Sequence, residues 1–246
     1  CVGAKLGWRI LCWYIKSLRM SDRFQNINGF KVYGFDSRTS LIAYIKENPS
    51  ILIAINAEEI YAGNVELKYI SQNGVGYPDG IGAVKALKTK GAKNVIRIPG
   101  SELWLDIIST LNKEDSVYFI GATNEVIQAT VFKLQKTYPS LNIAGFRNGF
   151  LNDTDIALLE KDILEKKPTV VFVAQGSPRQ ERLMQRLQQS HKAIYMGLGG
   201  SFDVFTNKVR RAPRIFRENG LEWLFRLLTQ PKRIKRQWVY IPFLIN

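Results

Sequence analysis

Asp79 and four glycines carry the chemistry that this sequence offers most openly. Asp79 lies in the stretch Tyr77-Pro78-Asp79-Gly80-Ile81-Gly82. Pro78 fixes φ just ahead of a turn-prone Asp, and Gly80 and Gly82 free the backbone behind it. Residues 83–88 then read as a helix, which puts Asp79 near a helix N-terminus. Two readings stay open: the carboxylate caps that helix, or it projects into a cleft beside bare backbone. The glycines are Gly121, Gly176, Gly199 and its neighbour Gly200, at or just beyond the ends of predicted strands. Backbone N–H groups at such places can meet the phosphates of a nucleotide. Asn56 also falls where a strand gives way to a helix, the usual position of site residues in parallel sheets.

Other chemistries are poorly supplied. The single histidine, His191, sits in the polar run Gln188-Gln189-Ser190-His191-Lys192 and reads as a solvated helix end. Histidine-based triads and His-rich metal centres therefore have little basis. Cys1 and Cys12 both lie in the N-terminal segment. A disulfide framework for the core is excluded, which fits a reducing compartment. Asp153-Thr154-Asp155 has the Asp-X-Asp form of a metal motif common in sugar-nucleotide transferases. It precedes a helix, however, where Asp153 or Thr154 reads as a cap. Gly197-Leu198-Gly199-Gly200 lacks the full dinucleotide spacing and its distal acidic residue, and no Walker A sequence is present. Neither a metal nor a cofactor is expected.

The elements that must position these residues alternate. Strands are expected at 28–34, 51–55, 94–98, 116–120, 141–145, 169–174 and 193–196. Helices are expected at 37–47, 57–73, 83–88, 101–112, 124–137, 154–166 and 178–190, with Ser37 as an N-cap. This rhythm predicts an α/β fold: a Rossmann-like, mostly parallel sheet with helices on both faces. Residues 28–205 form this core. Residues 1–27 form a basic segment and residues 206–246 a basic helical appendage.

Charge sets those ends apart. The chain carries 35 Lys and Arg against 21 Asp and Glu, a formal charge of +14. Twelve of the fourteen excess charges fall within residues 1–19 and 206–246. Such ends suit a polyanionic partner, whether an anionic membrane surface, phosphates or nucleic acid. Lys5, Arg9, Lys16 and Arg19 share one helical face in the first segment, as an interfacial helix would require. The alternative is a non-native leader before a true start at Met20. In the tail, Trp223, Phe225, Trp238 and Tyr240 stand among the basic residues, a mixture suited to a lipid headgroup region. The competing reading is a helix packed on the core with a solvated basic face. No segment offers about 18 uncharged apolar residues, so no spanning helix is expected.

Seven motifs occur in order: Ile55-Asn56-Ala57-Glu58, the stretch 77–82, Arg97-Ile98-Pro99-Gly100, the stretch 175–181, the stretch 197–205, Arg210-Arg211-Ala212-Pro213 and the stretch 220–227. Together they resemble the WecG/TagA/CpsF family of bacterial glycosyltransferases over about residues 28–240. The resemblance implies transfer, with inversion, of an N-acetylmannosamine-type sugar from a UDP-sugar to undecaprenyl-diphosphate-linked N-acetylglucosamine. It implies metal-independent work at the cytoplasmic face of the membrane, and oligomers. Asp79 then matches the proposed general base. Asn56, Arg97 and Gln180 match pocket residues. Arg226, Arg233 and Arg236 match an appendage that closes over the site and stabilises the departing diphosphate. Some members carry Thr where this chain has Ala54, so a hydroxyl role there is absent. Residues 54–58 and 230–237 look more like the enterobacterial-antigen branch, which implies the uronic acid as the sugar.

Two other classes compete. A basic nucleic-acid-binding protein would use the cationic ends on phosphates. Against it, the tail mixes its charges with Trp, Leu and Phe, and the centre is nearly neutral. A Rossmann-like dehydrogenase lacks its fingerprint.

Overall fold

The structure, a computed structural model, describes residues 24–213 together with Ile215, Phe216 and Phe225. Eight strands form one sheet in the order β1-β2-β4-β3-β8-β7-β5-β6. They are β1 Phe24–Ile27, β2 Phe30–Tyr33, β3 Ile51–Ile55, β4 Val75–Pro78, β5 Ser116–Gly121, β6 Asn142–Arg147, β7 Val170–Ala174 and β8 Ile194–Gly197. Every neighbouring pair is parallel except β1 and β2. The expected Rossmann-like α/β architecture is therefore the one observed.

Helices cover both faces. α1 Arg38–Glu47, α5 Gly100–Ser109, α6 Asn124–Thr137 and the short α9 Ser201–Phe205 pack on one side. α2 Ala57–Ala62, α3 Val65–Asn73, α4 Ile81–Thr89, α7 Asp153–Lys166 and α8 Arg179–Ser190 pack on the other. The strand period of two divides the core. Val170, Phe172 and Ala174 of β7 face the first layer, and Val171 and Val173 face the second. All five are buried, as a central parallel strand requires. Trp104 of α5 meets Phe172, Phe202 and Phe205 edge-on, tying α5 and α9 to the sheet.

Several expectations need correction. The single strand at 28–34 is a hairpin, because Asn28 and Gly29 both take positive φ between β1 and β2. The sheet thus begins at Phe24, inside the stretch assigned to the basic segment; residues 1–23 of that segment lie outside the described residues. The helix at 57–73 is two helices. Gly63 ends α2 in the left-handed region, and Asn64 starts α3 by accepting from the N–H groups of Glu66 and Leu67. Residues 94–98 form no strand. Their backbone is tied by isolated bonds instead: Ile96 N–H donates to the Phe35 carbonyl at 3.0 Å, and Ile98 N–H to the Pro78 carbonyl at 2.8 Å. The cap of α7 is Asn152, one residue before the Asp-X-Asp stretch, with Asp155 completing a capping box.

The end of β5 is pressed against β7. A Cβ on Gly121 would run into the Ala174 carbonyl, and Gly121 has φ +139. Both facts require glycine there. Gly121→Ala is expected to destabilise the protein by about 2–4 kcal/mol, read as a lower urea midpoint at unchanged slope. An unchanged midpoint would mean that the two strand ends are further apart than described.

Candidate active site

Parallel strands release the chain into loops at one edge, and ligands in open α/β sheets bind there. Here the ends of β3, β4 and β8, with the loop after β7, surround a cavity of about 510 Å³. Asn56, Asp79, Arg97, Gln180, Gly199 and Gly200 all line it. Six of the residues singled out from the sequence therefore converge. Gly121 and Gly176 stand at strand ends but are not among the lining residues. Arg226, Arg233 and Arg236 lie outside the described residues.

Asp79 does not cap the helix that follows it. Gly80 occupies the N-cap of α4 and offers no side chain. The Asp79 carboxylate turns instead to α5, where its Oδ1 accepts from Gly100 N–H at 2.6 Å. The backbone is fixed as firmly. Asp79 N–H donates to the Ile55 carbonyl at 2.9 Å, and Arg97 Nε donates to the Asp79 carbonyl at 2.9 Å. A carboxylate at the start of a ten-residue helix is favoured by the helix dipole.

Asn56 caps α2, its Oδ1 accepting from Glu59 N–H at 3.0 Å. Gln180 is a buried strut. Its Oε1 accepts from Gly199 N–H at 2.9 Å and from Gly176 N–H at 3.2 Å, and its Nε2 donates to Glu181 Oε1 at 2.8 Å. One amide thus joins the loop after β7 to the loop after β8. A Cβ on Gly197 would collide with it, so glycine is needed at the end of β8.

Two groups that sequence reasoning passed over also line the cavity. Tyr77 is fully buried, and Glu181 is 5% exposed. Burial, aided by the charges of Asp79 and Glu181, holds the Tyr77 phenol well above its ordinary value. Burial also raises the Glu181 carboxyl, against the pull of the hydrogen bond from Gln180. The signal for Glu181 was its spacing. Gln180 and Glu181 extend the buried stripe of Leu183, Met184 and Leu187 toward the start of α8, where apolar residues would ordinarily continue.

The lining also carries cations. Arg97, Arg210 and Arg211 line the cavity. Arg211 Nη2 reaches Glu102 Oε1 at 2.6 Å, and Arg38 Nη1 reaches Glu102 Oε2 at 2.6 Å. Burial pushes the Glu102 carboxyl up, but Arg38 and Arg211 outweigh it and hold it below its ordinary value. Among the described residues no group of three or more His, Cys, Asp and Glu side chains is placed to hold a metal ion. Among the same residues no helix is long and apolar enough to cross a membrane.

These features define an α/β protein with a polar, partly cationic cleft at the carboxyl ends of its central strands. A sequence model of the Glycosyl transferase WecG/TagA/CpsF family matches residues 26–246, and the chain belongs to that family. It is a glycosyltransferase of cell-surface polysaccharide biosynthesis. Among solved structures it is similar to RSP, a Rex-family repressor, at 15% identity and TM-score 0.28, covering 77% of this chain and 93% of that one. RSP in complex with β-NADH gives 13% identity, TM-score 0.29 and the same coverage. Both overlaps are loose and say nothing of what this cleft binds.

Removing the Gln180 side chain leaves the Gly176 and Gly199 N–H groups without their partner. Gln180→Ala is expected to cost about 1–3 kcal/mol, measured by denaturant titration. Glu102 supplies a pH test. Its depressed folded-state value means that its bridges add stability above the unfolded carboxylate pKa of about 4.3. That contribution is lost as pH falls through the folded value. Glu102→Gln should therefore lower the urea midpoint more near about pH 7 than near about pH 3. Equal effects at both pH values would contradict the ion-pair account.

Proposed function

We propose that this glycosyltransferase moves an N-acetylmannosamine-type sugar, or its uronic acid, from a UDP-sugar to a lipid-linked N-acetylglucosamine diphosphate. The acceptor lipid is undecaprenyl, and the sugar inverts at its anomeric carbon. One observation supports this most strongly. A carboxylate fixed by a helix N-terminal amide, Asp79 on Gly100, lines the same cavity as Asn56, Arg97 and Gln180.

In this mechanism the acceptor hydroxyl oxygen attacks the anomeric carbon, and its proton passes to the Asp79 carboxylate. The new glycosidic C–O bond forms as the bond from that carbon to the diphosphate oxygen breaks. The electron pair leaves with UDP. Negative charge grows on the departing diphosphate, and Arg97, Arg210 and Arg211 are cations among the described lining residues that can meet it. Arg226, Arg233 and Arg236 are proposed to add to them as charge-assisted donors when the appendage closes. No metal takes part. The basic ends hold the enzyme on the anionic cytoplasmic surface of the plasma membrane, and it works there as a peripheral, oligomeric protein.

Asn at position 79 keeps an oxygen for Gly100 N–H but cannot take a proton. Asp79→Asn is therefore expected to fold as the parent does and to lose turnover by roughly two to four orders of magnitude. The assay follows UDP release with lipid-linked N-acetylglucosamine diphosphate, a panel of UDP-sugars and EDTA present throughout. Near-normal turnover of the variant would remove Asp79 from the mechanism. Absence of acceptor-dependent release by the parent, with EDTA or with Mg²⁺, would overturn the assignment of substrates.

A further inference from the structure

Among the described residues, two buried polar atoms at the cavity have no protein partner: Tyr77 Oη and Glu181 Oε2. Both residues line the cavity, and both are more than nine-tenths buried. A buried hydroxyl or carboxylate oxygen left unpaired is costly, and such atoms in a cleft point to a ligand that completes them. Neither residue serves the transfer steps described above.

Their surroundings fix both groups in place. Glu181 Oε1 is held by Gln180 Nε2, and Gln180 is held in turn by the N–H groups of Gly176 and Gly199. Turning Glu181 away would break that chain. Tyr77 lies at 0% exposure in β4, two residues before Asp79. A Cβ on Gly100 would stand 2.7 Å from Tyr77 Oη and 3.6 Å from Asp79 Oδ1. Gly100 thus keeps open the space that the phenol shares with the Asp79 carboxylate.

The chemistry of the pair selects its ligand. A phenol supplies a donor, and a carboxylate oxygen supplies an acceptor. An uncharged group with both an X–H and a lone pair satisfies the two together; sugar hydroxyls and acetamido groups are such groups. A phosphate or a sugar carboxylate offers acceptors alone, and it would meet the negative charge of Asp79 and Glu181. The arginines of the cavity lining, Arg97, Arg210 and Arg211, suit those anions instead.

We propose that Tyr77 and Glu181 are specificity-determining residues that seat an uncharged hydroxyl or acetamido face of a substrate sugar beside Asp79, with the diphosphate outside their reach. This rests on the glycosyl-transfer reading above, and it adds the part of the substrate that the two residues recognise. The sugar is either the one transferred or the one that accepts, and the experiment separates these sources.

The test uses the full chain with Tyr77→Phe and Glu181→Gln. Three quantities are measured for each variant: the Kd for UDP, the Kd for the UDP-sugar that the parent turns over, and the KM for the lipid-linked acceptor. The proposal predicts UDP affinity within twofold of the parent. It predicts about 5–20-fold weaker binding of the UDP-sugar, or a rise of the same size in acceptor KM. The first pattern identifies the transferred sugar and the second the accepting one. Unliganded Tyr77→Phe is also expected to melt at or above the parent temperature, because an unpaired buried hydroxyl is gone. Three results would overturn the proposal: unchanged sugar affinities, parallel loss of UDP and UDP-sugar binding, or a lowered melting temperature with all affinities intact. A parent that binds no UDP-sugar would instead remove the donor assignment, and this proposal with it.

Discussion

The hydrogen bond from Gly100 N–H to Asp79 Oδ1 is the contact on which the site depends. It joins the end of β4 to the start of α5 and so sets the direction of the one carboxylate proposed to move a proton. The bond is possible because position 100 has no side chain. A Cβ there would press on Tyr77 Oη. It is also supported from below. Asp79 N–H is tied to β3 through Ile55, and its carbonyl is tied to Arg97. A residue held at two backbone points and one carboxylate oxygen keeps its geometry through turnover, which is what proton transfer to a positioned base requires.

Around that contact the fold accepts several polar burials. Tyr77, Gln180 and Glu181 sit where strands and helices would otherwise bury apolar side chains. Gln180 satisfies two loop amides and one carboxylate oxygen, so it lends order to the loops after β7 and β8. Among the described residues, Tyr77 and Glu181 each keep one side-chain atom unpaired. Natural sequences tolerate such local conflicts chiefly at functional sites. The cavity lining also carries arginines, one of them braced by Glu102. A cleft lined by both buried carboxyl groups and arginines is suited to a ligand with a neutral sugar at one end and a diphosphate at the other.

Much of this was legible in the sequence. The strand-helix alternation defined the sheet, and helix 124–137 matches its expected bounds, with Pro139 just beyond its end. The glycosyltransferase family was legible from seven ordered motifs, and Asn56, Asp79, Arg97 and Gln180 do converge on one cavity. What escaped was non-local. Asp79 caps α5 across 21 residues of chain, not α4 beside it, and no local pattern announces such a partner. Gly121 has the look of a phosphate-loop glycine, yet its positive φ and the nearness of Ala174 account for it without a ligand. The Asn28-Gly29 turn and the Gly63-Asn64 break carried local signals of known type, and there the apolar periodicity was given too much weight.

The central claim is that transfer takes place in the cavity at the ends of β3, β4 and β8, with Asp79 facing the reacting carbon. A crystal structure of the parent enzyme with its UDP-sugar donor, in the absence of acceptor, tests this most directly. The account predicts donor density within that cavity, the anomeric carbon toward the Asp79 carboxylate and the sugar ring against Tyr77 and Glu181. Donor density beside Gly121 at the end of β5, with the Asp79 cavity holding only solvent, would contradict it.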